Sequence, residues 1–189
     1  MKIGKAIAAA ALALVFGAGT AFATEGPNLC KFSIGYQGQS YGDLGLINGF
    51  SSRYWSSNEF GIEGNIYYGA NTWKYAGGGY EDQDLLAGAV KLMYAPVVKA
   101  NSRFYVGAEG SLGRQSFSDN TGYDQSDTFW ALKPLVGAEY HWAGIPEIGM
   151  NFEVGYIFDN YSVDDDYVNT LTDTDNSGIS VSLGAHYYF

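Results

Sequence analysis

The sequence lacks the features of several large protein classes. It contains one cysteine, Cys30, so no disulfide can form within the chain. Only 10 basic residues stand against 20 acidic ones, and without a basic patch to neutralise phosphates, nucleic acid is excluded as a partner. Charged residues make up 16% of the chain, against about 25% in ordinary soluble domains. Beyond the first 23 residues no apolar run approaches the ~18 residues of a membrane-spanning helix, which excludes a helical membrane protein.

The first residues have the order typical of a secretory leader. Lys2 and Lys5 flank the start of an apolar run over 7–16, and the small-residue site Ala21-Phe22-Ala23 follows. This order predicts a signal peptide over 1–23, removed before Thr24, and one mature domain over 24–189. Cys30 does not directly follow the cleavage site, so no lipid anchor is expected there. We expect Cys30 to remain an unreactive free thiol, and the alternative is an intermolecular disulfide.

The mature chain alternates apolar and polar residues with a period of two. Successive side chains of a strand point to opposite faces, so each alternating segment predicts a two-faced strand. Most segments hold 10 to 14 residues, whereas soluble strands average about 5–6 and a tilted transmembrane strand needs ~9–11. The eight predicted strands cover 31–38, 46–55, 59–70, 83–95, 102–115, 128–141, 147–158 and 177–189.

The connections between these strands alternate in length. Short turns are predicted at 56–58, 96–101 and 142–146. Long loops of 7, 12, 12 and 18 residues are predicted at 39–45, 71–82, 116–127 and 159–176. Outer-membrane barrels have short periplasmic turns and longer extracellular loops. The pattern therefore predicts four outer loops, with both chain termini in the periplasm.

The alternation alone does not decide which face of each strand meets lipid, but strand length, loop asymmetry and the aromatic distribution do. One row on each of the last four strands is free of charge, for example Phe104, Val106, Ala108 and Leu112, while Glu109 lies on the opposite face. A soluble barrel would turn such a row inward, but a lipid-embedded barrel turns it outward. Aromatic residues also cluster near both strand ends, as expected of interfacial girdles. One predicted cluster contains Tyr54, Phe60, Tyr94, Phe104, Tyr140, Trp142 and Phe189, and the other contains Tyr41, Tyr68, Trp73, Phe117, Trp130, Tyr156 and Phe158.

We therefore predict an all-β fold, an eight-stranded antiparallel up-and-down transmembrane β-barrel, over a sandwich with a tyrosine-rich core. The leader, the eight alternating segments, the four outer loops and the ending His186-Tyr187-Tyr188-Phe189 resemble small outer-membrane β-barrel proteins, such as the OmpX-like proteins and the membrane domain of OmpA. The resemblance implies a place in the cell outer membrane. It also implies that the barrel assembly machinery recognises the alternating C-terminal residues Leu183, Ala185, Tyr187 and Phe189.

Charged residues of both signs share the inward face. Buried charges are costly unless they are paired, so near-balanced signs predict an ion-pair network. Eight strands enclose an interior that side chains just fill, which predicts a plugged lumen. The alternative is a path for protons or small ions through the network. The predicted network contains Arg53, Glu63, Lys91, Glu109, Lys133, Glu139 and Glu153, with Arg103 as a further candidate.

His141 and His186 share the inward face and raise the question of catalysis. Some eight-stranded outer-membrane barrels modify lipid A, and the deacylase of that type uses a His-x-Ser pair. Neither histidine here is followed by that serine, and the sequence has no G-x-S-x-G motif. We predict that the protein is not an enzyme and has no cofactor.

The predicted long loops are strongly acidic. They carry 12 acidic residues against Lys74 alone. The plain interpretation is a solvated surface, and the alternative is divalent-cation bridging to lipopolysaccharide, because carboxylates are hard oxygen ligands. Residues 173–178 begin like a calcium loop, but Gly184 stands where its twelfth-position Glu belongs. No metal site is predicted, and the weak candidates are Asp164, Asp165, Asp166, Asp173 and Asp175.

Three functional hypotheses remain at this point. The leading one is a monomeric structural anchor that displays its acidic loops for adhesion, envelope integrity or surface recognition, with membrane lipid and an unknown loop ligand as partners. The second is a narrow porin-like pore, and the third is a lipid-modifying enzyme.

Overall fold

The computed structural model describes residues 32–40, 45–75, 79–122, 124–163 and 172–189. The predicted signal peptide and residues 24–31, with Cys30, lie outside this range. Eight strands cover most of the described chain: β1 Phe32–Ser40, β2 Leu46–Trp55, β3 Phe60–Lys74, β4 Tyr80–Lys99, β5 Ser102–Asp119, β6 Asp124–Trp142, β7 Ile145–Val163 and β8 Thr172–Tyr188.

The strands form one closed barrel. Each strand pairs antiparallel with the next along the chain, and β8 pairs antiparallel with β1. Closure joins the ends of the described chain, where the Phe189 amide donates to the Phe32 carbonyl at 2.9 Å. The predicted eight-stranded antiparallel up-and-down barrel is confirmed. Within the described residues, no helix has the length and hydrophobicity needed to cross a bilayer.

Several strands are longer than the sequence pattern predicts. The β4–β5 ladder continues to Glu81 opposite Asp119, and the β7–β8 ladder continues to Val163 opposite Thr172. The predicted long loops shrink to 41–45, 75–79, 120–123 and 164–171. Ladder hydrogen bonds join backbone groups, so pairing continues where both faces become polar and the apolar alternation ends.

Side chains alternate between a buried and an exposed face along each strand. On β4, Leu92 is 61% exposed, while its neighbours Lys91 and Met93 are 0% and 3% exposed. The exposed face of the barrel wall is apolar and the charged side chains lie inside. The face assignment made from the sequence therefore holds for the eight strands.

The predicted aromatic clusters need one correction. Trp73 and Phe117 share the parity of the buried residues on β3 and β5 and are half-buried, so they belong to the inward face. Their strands extend past the apolar band, where aromatic residues no longer mark the outer face. Tyr41 lies outside the described residues. Aromatic side chains remain exposed on the outer face at Tyr68, Trp130, Tyr156 and Phe158 near one end, and at Phe60, Tyr94, Phe104, Tyr140, Trp142, Tyr187 and Phe189 near the other.

Candidate functional site

A belt of alternating charge crosses five neighbouring strands inside the barrel. The strand register places Arg53 opposite Glu63, Glu63 opposite Lys91, Lys91 opposite Glu109, and Glu109 opposite Lys133. Directly opposite side chains on one face lie about 4.5–5.5 Å apart at Cβ. Each charge of the belt therefore has an opposite charge on the adjacent strand.

The side chains of the belt form direct ion pairs. Arg53 Nε donates to Glu63 Oε2 at 2.5 Å, and Lys91 Nζ donates to Glu63 Oε1 at 2.7 Å. Lys133 Nζ lies 2.9 Å from Glu109 Oε1, and it also donates to Gln39 Oε1 at 2.5 Å. None of these charged side chains is more than 3% exposed, so removing one of them takes an ion-pair partner from a buried charge.

Glu153 and Glu139 connect the belt to the other strands. Lys91 Nζ lies 2.8 Å from Glu153 Oε1 across the lumen. Arg53 Nη1 donates to Glu139 Oε1 at 3.1 Å, and Arg103 Nη1 lies 3.6 Å from Glu139 Oε2. The structure thus brings together all seven residues of the predicted network, and Arg103 joins them.

Uncharged side chains take part in the network and carry no charge signal in the sequence. Tyr105 donates its hydroxyl to Glu153 at 2.7 Å, Tyr188 donates to Glu139, and Tyr67 donates to Glu109 at 3.3 Å. In the sequence, the only sign of this role is that all three tyrosines lie at inward-facing positions of their strands. Their hydroxyls add a hydrogen bond to carboxylate oxygens that also pair with Lys91 or Arg53.

Two apolar clusters lie above and below the belt. One cluster, toward the β3–β4 hairpin end, contains Ile47, Tyr67, Leu85, Ala87, Ala89, Phe129, Ala131 and Ile157. The other, toward the short turns, contains Trp55, Met93, Ala95, Tyr105, Leu135 and Tyr188. The belt is therefore enclosed by side chains along the barrel axis as well as around it. Such an arrangement fixes strand register and favours a lumen without a continuous water path.

The two histidines make separate contacts. His141 Nδ1 donates to the Pro146 carbonyl at 2.8 Å. His186 Nε2 lies 2.8 Å from Ser51 Oγ, a serine–histidine contact that residue spacing along the chain did not reveal. Ser51 is 0% and His186 2% exposed. A nucleophile must reach its substrate as well as its base, and this serine lies inside the barrel wall.

The C-terminal residues Leu183, Ala185, Tyr187 and Phe189 form one outward row along β8 and the residue that follows it. Leu183, Tyr187 and Phe189 are 59%, 51% and 63% exposed. The Phe189 ring lies 5.2 Å from the Tyr187 ring and 6.2 Å from the Phe32 ring. This row is accessible to another molecule in the folded barrel.

The acidic residues expected on loops are divided by the extended strands. Asp127 and Asp159 lie in β6 and β7 and are 5% and 7% exposed, so they face inward instead of lying on a solvated loop. Asp164, Asp165 and Asp166 lie outside the described residues. The backbones of Asp173 and Asp175 belong to β8, and their side chains lie outside the described part. Among the described residues, no three His, Cys, Asp or Glu side chains are grouped to hold a metal ion.

Comparison with known proteins identifies the fold through structure and not through sequence. No protein-family model matches the chain, and no curated protein sequence matches it. The barrel is similar to Neisserial surface protein A, with 22% identity, a TM-score of 0.54, and coverage of 84% of this chain and 97% of that chain. It is also similar to a major outer membrane protein from Thermus thermophilus, with 15% identity, a TM-score of 0.53, and coverage of 84% of this chain and 99% of that chain.

A third similar structure is Ail, the attachment invasion locus protein of Yersinia pestis, in complex with the heparin analogue sucrose octasulfate. It shares 16% identity at a TM-score of 0.50, and the match covers 84% of this chain and 97% of that chain. The resemblance to small outer-membrane barrels expected from the sequence is confirmed at the level of the fold.

Proposed function

We propose that the protein is an integral outer-membrane barrel that acts as a non-enzymatic anchor and presents its hairpin ends at the cell surface. The observation that carries this proposal is the inverted distribution of its side chains. Large apolar residues cover the outer face, and the charged residues of the barrel wall pair inside. A soluble monomer rarely exposes a contiguous apolar patch above a few hundred Å². Lipid solvates such a surface, and the closed ladder leaves no strand edge exposed to it.

The outer edge of the apolar band supports this placement. Along β5, Leu112 is followed on the outer face by Arg114, and along β6, Trp130 is preceded by Thr128. On β7, Asn160 follows Phe158 in the same way. Aromatic residues at such a boundary sit at the depth of the lipid headgroups. The strands continue beyond this boundary, so the hairpin ends project from the membrane surface.

The partners of this barrel follow from its surfaces. The exposed apolar face of the barrel contacts membrane lipid, and its edge near the cell surface contacts lipopolysaccharide. The exposed C-terminal row is available to the barrel assembly machinery before insertion. The protein works as a monomer in this proposal, because the closed ladder leaves no strand edge to pair with a second copy. In this proposal the hairpin ends serve adhesion, envelope integrity or surface recognition. The fold itself selects none of them.

Surface labelling of intact cells tests the proposal. A short epitope inserted after Gly122, in the exposed β5–β6 turn with φ of 90°, is expected to bind antibody on intact cells. The matched insertion after Asn58, in the β2–β3 turn, is expected to bind antibody only after the outer membrane is opened. Labelling of the Asn58 epitope on intact cells would show that the barrel has the opposite orientation. Recovery of both epitopes in the soluble fraction, in correctly folded protein, would reject the membrane barrel.

A further inference from the structure

A cavity lies where the β3–β4 and β5–β6 hairpins end side by side. Its volume is about 430 Å³, within the roughly 300–1,000 Å³ typical of small-molecule sites. Three aromatic residues, two carboxylates and two amides line it: Tyr75, Tyr80, Phe117, Glu81, Asp119, Asn120 and Gln125. Because these residues lie beyond the apolar band, the cavity opens to water and not to lipid.

The two carboxylates of the cavity belong to paired residues on adjacent strands. Glu81 and Asp119 are directly opposite on the β4–β5 ladder, and like charges in this position are destabilising. Among the described residues that line the cavity there is no Lys, Arg or His. A ligand with positive charge would be attracted by both carboxylates, and an anion would be repelled by both.

Local hydrogen bonds hold these groups in place before a ligand arrives. Tyr75 donates its hydroxyl to Glu81 Oε2 at 2.8 Å, and this bond, together with the negative charge of Glu81, raises the pKa of Tyr75 above its usual value. The Thr121 hydroxyl donates to Asp119 Oδ1 at 2.7 Å. The Tyr80 amide donates to Asn120 Oδ1 at 3.4 Å, which links the two hairpins. Preorganised groups lower the entropic cost of binding.

A buried acceptor lies next to the cavity. Gln83 stands opposite Phe117 on the β4–β5 ladder, one inward position deeper than Glu81. The side chain of Gln83 is 5% exposed, and its Oε1 accepts no hydrogen bond from the described residues. The cavity and the buried side chain next to one of its lining residues thus offer several acceptors, which favours a ligand that carries N–H donors.

We propose that this cavity binds an organic cation with N–H donors, a guanidinium or a primary ammonium group on a small molecule or on an exposed side chain. The aromatic rings attract such a cation through their π-faces, and the carboxylates accept charge-assisted hydrogen bonds from it. A bare metal ion would leave the three rings unused. This inference gives a ligand class to the proposed surface role, and its biological use rests on that proposed function. The cavity itself is part of the folded barrel whichever end of the barrel faces outward.

Calorimetry on the refolded full-length mature chain in a non-ionic detergent tests the cavity directly. The probes are arginine amide and citrulline amide, because citrulline replaces the guanidinium by a neutral urea of nearly the same shape. We expect one arginine amide to bind per chain, with affinity that falls as salt is added. Citrulline amide is expected to bind roughly tenfold more weakly, the difference between a charged and a neutral hydrogen bond.

Matched variants locate the binding. Glu81→Gln keeps the acceptor for Tyr75 but removes one charge, and it is expected to weaken arginine amide binding roughly tenfold. Phe117→Leu is expected to weaken it about two- to fivefold through the lost cation–π contact. Glu59→Gln removes the same charge in the exposed β2–β3 turn at the opposite end and is expected to leave binding unchanged. A heat-dependent shift on an unboiled gel confirms that each variant is folded.

Three results would overturn the inference. The first is the absence of binding heat when folded protein meets arginine amide at millimolar concentration. The second is equal binding of citrulline amide, and the third is a loss of binding in Glu59→Gln as large as that in Glu81→Gln. Each result removes a required element: the site, the cation or the location. Surface labelling is independent of this calorimetry, so binding without surface exposure would reject the proposed orientation and leave the cavity assigned.

Discussion

Gly137 lies directly opposite Tyr105 on the β5–β6 ladder, and the tyrosine ring fills the space that a side chain at Gly137 would occupy. A Cβ atom at Gly137 would lie 2.6 Å from two carbons of that ring. The position of the ring matters because its hydroxyl reaches Glu153 at 2.7 Å. Three other inward glycines face aromatic rings on an adjacent strand in the same way: Gly49 with Tyr67, Gly61 with Trp55, and Gly113 with Phe129.

We expect Gly137→Ala to destabilise the barrel by about 1–3 kcal/mol, the usual cost of overpacking a filled interior. The added methyl group displaces the Tyr105 ring and weakens its hydrogen bond to Glu153. Urea unfolding in lipid vesicles measures the change. Gly64→Ala is the matched control, because nothing lies within 4 Å of a Cβ atom at Gly64. Equal stability of the two variants would show that the ring does not depend on the glycine.

The ion-pair belt predicts strong coupling between Glu109 and Lys133. Either single variant, Glu109→Gln or Lys133→Met, leaves a buried charge without its partner at 2.9 Å, and each is expected to cost about 3–5 kcal/mol. The double variant is expected to cost clearly less than the sum of the two, because neither charge remains. A double-mutant cycle on urea unfolding gives the coupling free energy. Additive single effects would mean that the two residues do not stabilise each other.

A charge introduced on the outer wall distinguishes a wall that faces lipid from a wall that faces water. Leu92→Arg places a cation in the middle of the apolar band, where Leu92 is 61% exposed. In a bilayer the substitution is expected to cost about 2–4 kcal/mol. Asn58→Arg, in the exposed β2–β3 turn, is the control and is expected to change the free energy of unfolding by less than about 0.5 kcal/mol. If Leu92→Arg is as neutral as the control, the outer wall is solvated by water.

The enclosed belt predicts that the barrel is electrically silent. Side chains of the two apolar clusters cover the belt at both ends, and ions would have to cross them without hydration. Refolded protein in a planar bilayer is expected to show no single-channel steps in molar potassium chloride. Gramicidin added to the same bilayer verifies the sensitivity of the recording. Reproducible steps from heat-modifiable protein would favour the narrow pore and make Lys91 and Glu153 candidate selectivity residues.

The alternation of apolar and polar residues predicted two-faced strands. Their length, the alternating loop lengths and the aromatic clusters were needed as well to predict a membrane barrel. Parity also placed Arg53, Glu63 and Lys91 on the inward face, and their signs predicted pairing. Their partners follow from strand register. The turns and the opposing strands set that register together, so short-range spacing does not reveal it.

Features that depend on contacts between strands were not predictable. The Ser51–His186 contact joins residues 135 positions apart, and no motif in the sequence connects them. The hairpin ends were misjudged for a related reason. Beyond the membrane both faces of a strand are polar, so 71–82 and 116–127 looked like loops, although 71–74, 80–82, 116–119 and 124–127 continue the ladder. The cavity between these hairpin ends depends on that extension.

Substitution of the last residue in the exposed C-terminal row is expected to impair assembly of the barrel much more than its stability. Phe189 is 63% exposed, and its amide, which bonds to the Phe32 carbonyl, is unchanged by substitution of the side chain. Phe189→Ser is therefore expected to unfold in vesicles within about 1 kcal/mol of the unchanged protein, close to the range of surface substitutions, while its yield in the outer membrane falls severalfold. Phe60→Ser is the matched control, because Phe60 is an equally exposed aromatic residue at 55% near the same barrel end, on a different strand. If both variants reach the membrane equally well, the terminal phenylalanine serves only as an interfacial anchor. If Phe189→Ser alone accumulates outside the membrane, recognition of the unfolded C-terminal row, and not the stability of the barrel, limits its assembly.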